Sequence, residues 1–399
     1  MMMQFLKTAL TPARKRARVR RVKVGLAAVA LLVTGVLFSL GGMGSLLGSF
    51  MISASTPAAA QTAAARKPAP LPPGLITAEE WAQYRDRFIS SGRVIDDGNG
   101  NISHSESQGY GMLLAVMADD PATFAALWSF VRTELLIRDD GLAAWRWNPA
   151  SRPHVTDVNN ASDGDILIAY ALLLAAQKWD RPELASAAEK IVAALAAHNV
   201  VRSGKTALLL PATEGFGADA RPDGPVVNPS YWIFEAFPLF GALKAGAEPW
   251  NSLTKSGLDI IDLSRFGPRQ TPTEWESVRD FAKPQPAKGF TAEYGYNAMR
   301  IPLYLLRAGI DDRNRLERFR QLWSKGGQPA PAIINAETGA VTYNLSDPGY
   351  AMIVAGLSCA LDGTPVPQNL RQFQPTLYYP STLHLLGLSL VRQRYPQCL

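Results

Sequence analysis

Hydrophobic residues recur with a helical period along most of the chain beyond residue 75, but the pattern differs between segments. From Asp165 to Trp179 apolar residues occupy nearly every face, which is typical of a helix buried inside a domain. From Glu183 to His198 they form a one-sided stripe, which is typical of an outer helix. The same kind of pattern predicts further helices over Tyr231–Ala245, Trp250–Leu263, Asn297–Leu306, Arg313–Lys325, Gly349–Leu361 and Thr376–Arg392.

Helix-start signals agree with this interpretation. Thr77 and Glu80 have the spacing of a capping box, and Asp120-Pro121 places an N-cap residue before a first-turn proline. Strand-like alternation is modest and confined to Ala207–Leu210 and Val341–Asn344. Buried and one-sided helices together favour two concentric rings over a four-helix bundle. We therefore predict an all-α domain over residues 75–399, with an open substrate cleft formed by the loops at one rim.

The N-terminal 60 residues have a different pattern, because basic residues precede a stretch without charge from Val24 to Ile52. This order is typical of a secretory signal peptide or of a signal anchor that tethers the chain to a membrane. Ala58-Ala59-Ala60 resembles a cleavage site, which favours the signal peptide. Residues 61–74 form an Ala/Pro-rich linker. We expect the domain that follows to be periplasmic or secreted.

Composition supports this division of the chain. The net charge of the 399 residues is +6, but residues 1–60 hold eight of the 40 basic residues and none of the 34 acidic ones. The remainder, 32 basic against 34 acidic residues, has a charge of −2, so the basic balance indicates targeting rather than nucleic-acid binding. The two cysteines, Cys359 and Cys398, are either a disulfide or two free thiols.

Candidate chemistry is concentrated where loops lead into helices. Glu106 follows a turn-rich loop and precedes two glycines in an apolar helix, which indicates close approach of a ligand or another backbone. Asp163 and Asp165 stand at the start of the most apolar helix, and an N-cap role would explain only one of them. Three aromatic-rich segments complete the set: Trp145–Trp147, Asn228–Phe237 and Glu293–Pro302.

Carboxylates beside flat aromatic faces suit sugar rings, whose CH faces stack while their hydroxyl groups seek polar partners. Paired carboxylates without a Ser-His-Asp arrangement indicate glycoside hydrolysis, in which one acid protonates the leaving oxygen and a second carboxylate acts on water or the anomeric carbon. The sequence contains no nucleotide-binding loop and no zinc-protease motif. We expect neither a cofactor nor a metal ion.

At these residues the chain resembles the family 8 glycoside hydrolases, especially the cellulases that accompany bacterial cellulose synthases. The similarity is carried by Ala161-Ser162-Asp163-Gly164-Asp165 with the apolar residues that follow, by the segment around Glu106, and by Asn228-Pro229-Ser230-Tyr231. The resemblance implies an (α/α)6 barrel, inversion at the anomeric carbon, Glu106 as general acid, and Asp163 at the subsite of the distorted sugar. It also implies substrate-binding roles for Tyr231, Tyr296, Asn297 and Arg300, and we add Trp145 as an aromatic candidate.

One position departs from that family, because many members have Asp as general base where this chain has Asn297. An amide cannot accept a proton from water as a carboxylate does. Asp163, Glu293 and Glu235 remain as candidates for the base, and Asn297 could still position the water.

The sequence thus predicts an endo-1,4-β-glucanase that supports cellulose synthesis, with β-1,4-glucan as substrate and a link to the cellulose export machinery. Alternatives are a catalytically impaired glycan-binding or assembly protein, and a chitosanase or xylanase of the same fold.

Overall fold

The computed structural model describes residues 71–244, 248–325 and 328–399, without the side chains of residues 324–329. The predicted signal segment 1–60, with its uncharged stretch 24–52, and most of the linker 61–74 lie outside the described residues. In the part of the chain that the structure describes, no helix combines the length and the apolar character needed to cross a membrane.

Helices dominate the described residues. They are α1 (Ala78–Phe88), α2 (Ser105–Met117), α3 (Pro121–Phe130), α4 (Ser162–Trp179), α5 (Pro182–His198), α6 (Phe237–Gly241), α7 (Trp250–Leu263), α8 (Arg300–Arg307), α9 (Arg313–Leu322), α10 (Pro348–Asp362) and α11 (Tyr378–Arg394). A π-helical turn over Val131–Leu135 extends α3. Short 3₁₀ turns lie at Pro229–Tyr231, Gln368–Leu370 and Pro396–Cys398.

Six of these helices form an inner ring. Every residue of α2 and α8 is buried, and α4, α10 and α11 are buried over most of their length. Helix α2 packs on α4, α4 on α6, α8 on α10, and α10 on α11, which returns to α2. The outer helices α1, α3, α5, α7 and α9 bury one face each, so the predicted (α/α)6 barrel is confirmed.

The barrel is closed by its last helix. Arg392 of α11 forms a two-pronged ion pair with Glu80 of α1, with both N–O distances 2.7 Å, and Tyr84 shares a 2.8 Å hydrogen bond with Thr382. Beyond α11, a disulfide joins Cys359 of α10 to Cys398. Of the two states left open for these cysteines, the structure has the bonded one.

Short antiparallel strands connect the helices. They are β1 (Ile89–Ser90), β2 (Arg93–Val94), β3 (Ser103–His104), β4 (Arg146–Trp147), β5 (Val200–Ser203), β6 (Thr206–Leu209), β7 (Val226–Val227), β8 (Glu276–Ser277), β9 (Gln285–Pro286), β10 (Glu293–Tyr294), β11 (Ser324–Lys325), β12 (Gln328–Pro329), β13 (Ala332–Asn335) and β14 (Val341–Asn344). They pair as β1-β2, β3-β4, β5-β6, β11-β12, β7-β8-β9 and β10-β13-β14.

Local sequence signals account for several helix starts. The capping box of α1 is present, and Asp120 caps α3 with Pro121 in the first turn. The predicted helix over Tyr231–Ala245 is wrong, since α6 begins only at Phe237. Pro238 sits in the first turn of α6, and a proline there cannot continue a helix that arrives from Tyr231.

Candidate active site

Glu106 is the second residue of α2 and lies where two elements meet. Strand β3 pairs with β4, with His104 opposite Arg146, and α2 begins at the next residue. The His104 ring caps the helix, because its Nδ1 accepts the Ser107 N–H at 3.1 Å while the Ser107 hydroxyl accepts the His104 N–H at 3.0 Å. The Glu106 side chain is only 6% exposed, so its carboxyl group is held in one place.

Asp163 lies in the first turn of α4, and Gly164 beside it allows α4 to touch α2. A Cβ atom at Gly164 would stand 2.1 Å from Ser105 Oγ and 2.7 Å from the Glu106 nitrogen. Gly109 has the same function lower down, since a Cβ atom there would be 2.5 Å from Leu167 Cβ. The close approach of another backbone expected at Gly109 is therefore that of α4, and together with Gly164 it brings both carboxyl groups to one rim.

Arg300, the first residue of α8, joins the two carboxyl groups from below. Its Nη1 donates to Glu106 Oε1 and, at 3.1 Å, to Asp163 Oδ2. Its Nη2 donates to Ser230 Oγ and to Asn297 Oδ1, both at 3.1 Å. The guanidinium group is fully buried among protein atoms. The geometry therefore gives Arg300 a positioning role, and its substrate contact stays a prediction.

This cluster has two acidic groups for one cation. Burial, together with the charge of Glu106, raises the pKa of Asp163 to about 6, although Arg300 opposes the shift. Burial alone would lower the pKa of Arg300, but the charge of Glu106 raises it well above its usual value. The arginine stays charged, and Asp163 holds its proton to a higher pH than an exposed aspartate does.

Asp165, two residues beyond Asp163, has a different environment. Its carboxyl group accepts the Ala143 N–H at 2.8 Å and Asn160 Nδ2 at 2.9 Å, which fastens the loop that carries Trp145. Burial raises the pKa of Asp165 to about 7. Neither aspartate is the N-cap of α4, which is Ala161.

The predicted aromatic residues are divided between rim and interior. Tyr231 is buried, and its ring centre lies 5.6 Å from Arg300 Cζ. Tyr296 is partly exposed, and its carbonyl oxygen accepts the Tyr379 hydroxyl at 2.9 Å. Trp145 is largely buried, and its Nε1 donates to Asp157 at 2.9 Å. The substrate-binding roles of Tyr231, Tyr296 and Trp145 remain predictions, and Tyr296 is the most accessible of these three.

The sequence did not predict an aromatic stack that lies at the same rim. The Trp275 ring lies between Phe216 and Phe290, with ring centres 5.4 and 4.8 Å away, and approaches Tyr231 edge-on at 6.2 Å. Trp275 and Phe290 are both partly exposed, so part of this stack reaches the surface. The alternation of acid, tryptophan and acid in Glu274-Trp275-Glu276 was the available signal.

Asn297 is held on both sides by charged groups. Its Oδ1 accepts from Arg300, whereas its backbone N–H and its Nδ2 donate to Glu274 at 2.6 and 3.2 Å. Glu274 is largely buried, and burial raises its pKa to about 7. The carboxyl group of Glu293 also lies nearby. A Cβ atom placed at Gly295 would be 2.7 Å from Glu274 Oε1 and 3.2 Å from Glu293 Oε1, so both carboxyl groups face this glycine.

The candidates for the general base thus differ in surroundings. Asp163 is committed to Arg300, and Glu235 forms a 2.6 Å ion pair with Arg307 while accepting the Tyr170 hydroxyl at 3.2 Å. Glu293 is half-buried, and burial raises its pKa. Among the described residues, no group of three or more His, Cys, Asp or Glu side chains could hold a metal ion.

A helical barrel with a carboxyl pair and aromatic residues at one rim has the parts that a glycoside hydrolase needs. The model of glycosyl hydrolases family 8 matches residues 55–393, and the chain belongs to this family. The predicted family, fold and class of enzyme are therefore confirmed.

Relatives and solved structures agree. The chain is 35% identical over 280 residues to a probable endoglucanase of Novacetimonas hansenii, covering 69% of this chain and 80% of the relative. It is 36% identical over 264 residues to an endoglucanase of Cellulomonas uda, covering 65% and 72%. The crystal structure of a family 8 endoglucanase from Klebsiella pneumoniae superposes with a TM-score of 0.71 at 32% identity, covering 79% of this chain and 99% of that one.

Proposed function

We propose that the protein is an endo-1,4-β-glucanase that hydrolyses β-1,4-glucan with inversion, using Glu106 as general acid. The observation that carries the proposal is the buried cluster in which Glu106 and Asp163 share Arg300 at the rim of the barrel. The relatives named endoglucanases support the glucan as substrate. The partly exposed Trp275 and Tyr296 support binding of a polymer along the rim.

The reaction assigns one task to each group. Glu106 donates its proton to the glycosidic oxygen as the bond between that oxygen and the anomeric carbon breaks. We assign Asp163, through the family resemblance, to the subsite of the sugar whose ring is distorted at that carbon. A water molecule attacks from the opposite face, gives its proton to a carboxylate base, and leaves a product of inverted configuration.

The cellular part of the proposal is action in the periplasm or outside the cell. The basic and uncharged segments of residues 1–60 support export, either with cleavage or with a membrane tether through residues 24–52. The Cys359–Cys398 disulfide is in keeping with an oxidising compartment. A link to the cellulose export machinery rests on the resemblance alone, and deletion of the gene would test it through the amount of exported cellulose.

A second candidate function is glycan binding without hydrolysis, and Asn297 is the observation that favours it. An intact, buried Glu106–Arg300–Asp163 cluster opposes it, because binding alone does not need a proton donor.

The test offers carboxymethyl-cellulose, chitosan and xylan to the full chain. We expect new reducing ends from carboxymethyl-cellulose, an inverted anomeric configuration in the first products, and almost none of this activity in Glu106→Gln. Preferential cleavage of chitosan or xylan would change the substrate, and a folded protein that binds glycan without cleaving it would overturn the assignment.

A further inference from the structure

Asn297 has an amide side chain, and both the oxygen and the NH2 group of this amide already form hydrogen bonds. Its oxygen accepts from Arg300, on the side of Glu106 and Asp163, and its NH2 group points to Glu274. An amide has no basic lone pair that could keep a proton from water. A carboxyl group in hydrogen-bond contact with Asn297 would supply that capacity.

Glu274 meets this requirement through its position. Both of its oxygens receive hydrogen bonds from Asn297, one from the backbone N–H and one from Nδ2, so the carboxyl group is oriented in the plane of these donors. It belongs to the irregular segment before β8, and its neighbour Trp275 is a partly exposed member of the aromatic stack.

The absence of a side chain at Gly295 leaves room for the Glu274 carboxyl group. Gly295 faces its Oε1, and a Cβ atom there would approach to 2.7 Å. Arg300 and Glu293 act on it electrostatically with opposite signs. Glu274 is therefore buried between the catalytic cluster and a second acid, without a cation committed to it as Arg307 is to Glu235.

We propose that Glu274 is the general base of this enzyme, with Asn297 orienting both the base and the attacking water. This proposal rests on the proposed function. In the step, the water oxygen forms the bond to the anomeric carbon while the glycosidic C–O bond breaks. The water proton passes to a Glu274 oxygen, and the Glu106 proton passes to the leaving oxygen, so each turnover consumes one water molecule.

The experiment compares Glu274→Gln with Glu293→Gln on carboxymethyl-cellulose and on a soluble cello-oligosaccharide. We expect Glu274→Gln to lower kcat by about 10²–10⁴-fold. Sodium azide, which needs no base to attack, should restore turnover and give a glycosyl azide of inverted configuration. Glu293→Gln tests the rival carboxyl group, and Glu276→Gln, at a buried glutamate bonded to Ser264 and Thr273, is the matched control and should keep kcat within a few-fold.

A second variant separates chemistry from a merely structural contact. In Glu274→Gln/Asn297→Asp, the new carboxylate lies beside the amide introduced at position 274 and occupies the position that holds the base in many family members. We expect this double variant to recover most of the lost activity. Its activity should also reach half-maximum at lower pH than that of wild type, since burial raises the pKa of Glu274 to about 7.

Each outcome has a defined meaning. If wild type cleaves glucan but Glu274→Gln is as active, or is inactive and rescued neither by azide nor by Asn297→Asp, Glu274 is not the base. If Glu293→Gln shows the loss and the azide rescue instead, Glu293 is the base and the proposal is overturned. If wild type itself releases no product, the proposed function fails before the question of the base arises.

Discussion

Two arginines of α8, Arg300 and Arg307, invite comparison because they are seven residues apart. Seven residues are nearly two helical turns, so both project from the same face, about 10 Å apart along the axis. Both are buried, and both form ion pairs with carboxyl groups from other elements. They differ in the number of carboxyl groups with which each forms an ion pair.

Arg307 is balanced by a single acid. It pairs with Glu235 at 2.6 Å and gives its remaining hydrogen bonds to the Leu386 carbonyl at 3.3 Å and to Ser389 Oγ at 2.9 Å. Arg300 serves Glu106 and Asp163 together. A buried ion pair alone therefore does not mark a site in this barrel. Two buried acids that share one guanidinium group do, because burial and the charge of Glu106 raise the pKa of Asp163 to about 6.

The largest expected effect is a loss of kcat that distinguishes Glu106, which pairs with Arg300, from Glu235, which pairs with Arg307. Glu106→Gln removes the proton donor and should lower kcat by about 10²–10⁴-fold while the protein stays folded. Glu235→Gln should leave kcat within a few-fold and lower the stability. Steady-state kinetics with urea unfolding would check both variants. Equal losses of kcat would erase the distinction between the clusters.

Removal of the Arg307 charge should lower the stability of the fold. Arg307→Met leaves Glu235 buried without its partner and should lower the free energy of unfolding by about 3–5 kcal/mol. Arg307→Met/Glu235→Gln removes both charges and should cost clearly less, as urea unfolding would measure. If the double variant were less stable than Arg307→Met, charge compensation alone would not explain how the Arg307–Glu235 pair stabilises the fold.

The sharing of Arg300 by two acids depends on contact between α2 and α4, which Gly164→Ala should disturb. The added methyl group would collide with Ser105 Oγ, and such overpacking costs about 1–3 kcal/mol. We also expect a fall in kcat, because Asp163 and Glu106 would be pushed apart. The matched control is Gly356→Ala in α10, where the nearest atoms are 3.8 and 3.9 Å away. Thermal unfolding should show this control to be neutral or stabilising by up to about 1 kcal/mol.

Glu276 extends the comparison to an acid bonded to uncharged donors. Its carboxyl group meets the Ser264 hydroxyl and the Thr273 N–H, and burial raises its pKa to about 8. The folded protein holds this proton more tightly than the unfolded chain, so the contribution to stability is complete below about pH 4.5 and is lost as the pH rises towards 8. The slope should be about 1 kcal/mol per pH unit.

Glu276→Gln should flatten that dependence in urea unfolding measured between about pH 5 and 8. The amide can keep both hydrogen bonds, so the variant isolates the proton. An unchanged slope would assign the pH dependence to other buried acids, such as Asp165.

The sequence predicted best what is local and regular. The (α/α)6 barrel followed from helix periodicity and family motifs, and Glu106 and Asp163 were found because each lies at a helix start. Glu274 was missed because it stands 23 residues before Asn297 in an irregular segment. Most rim strands have two residues, too few for an alternating pattern. The buried state of Arg300 was likewise not predictable, since it depends on groups from four separate segments.

The closure of the ring by α11 has a consequence for incomplete chains. A solenoid that loses its last repeat keeps a shorter but intact stack. This barrel, once cut before Tyr378, would expose the inner faces of α2, α8 and α10 together and lose the Arg392–Glu80 clasp on its first helix. A stop codon in place of Tyr378 should therefore be as damaging as one in the middle of the gene, and cells should degrade the truncated product rather than accumulate a partial enzyme.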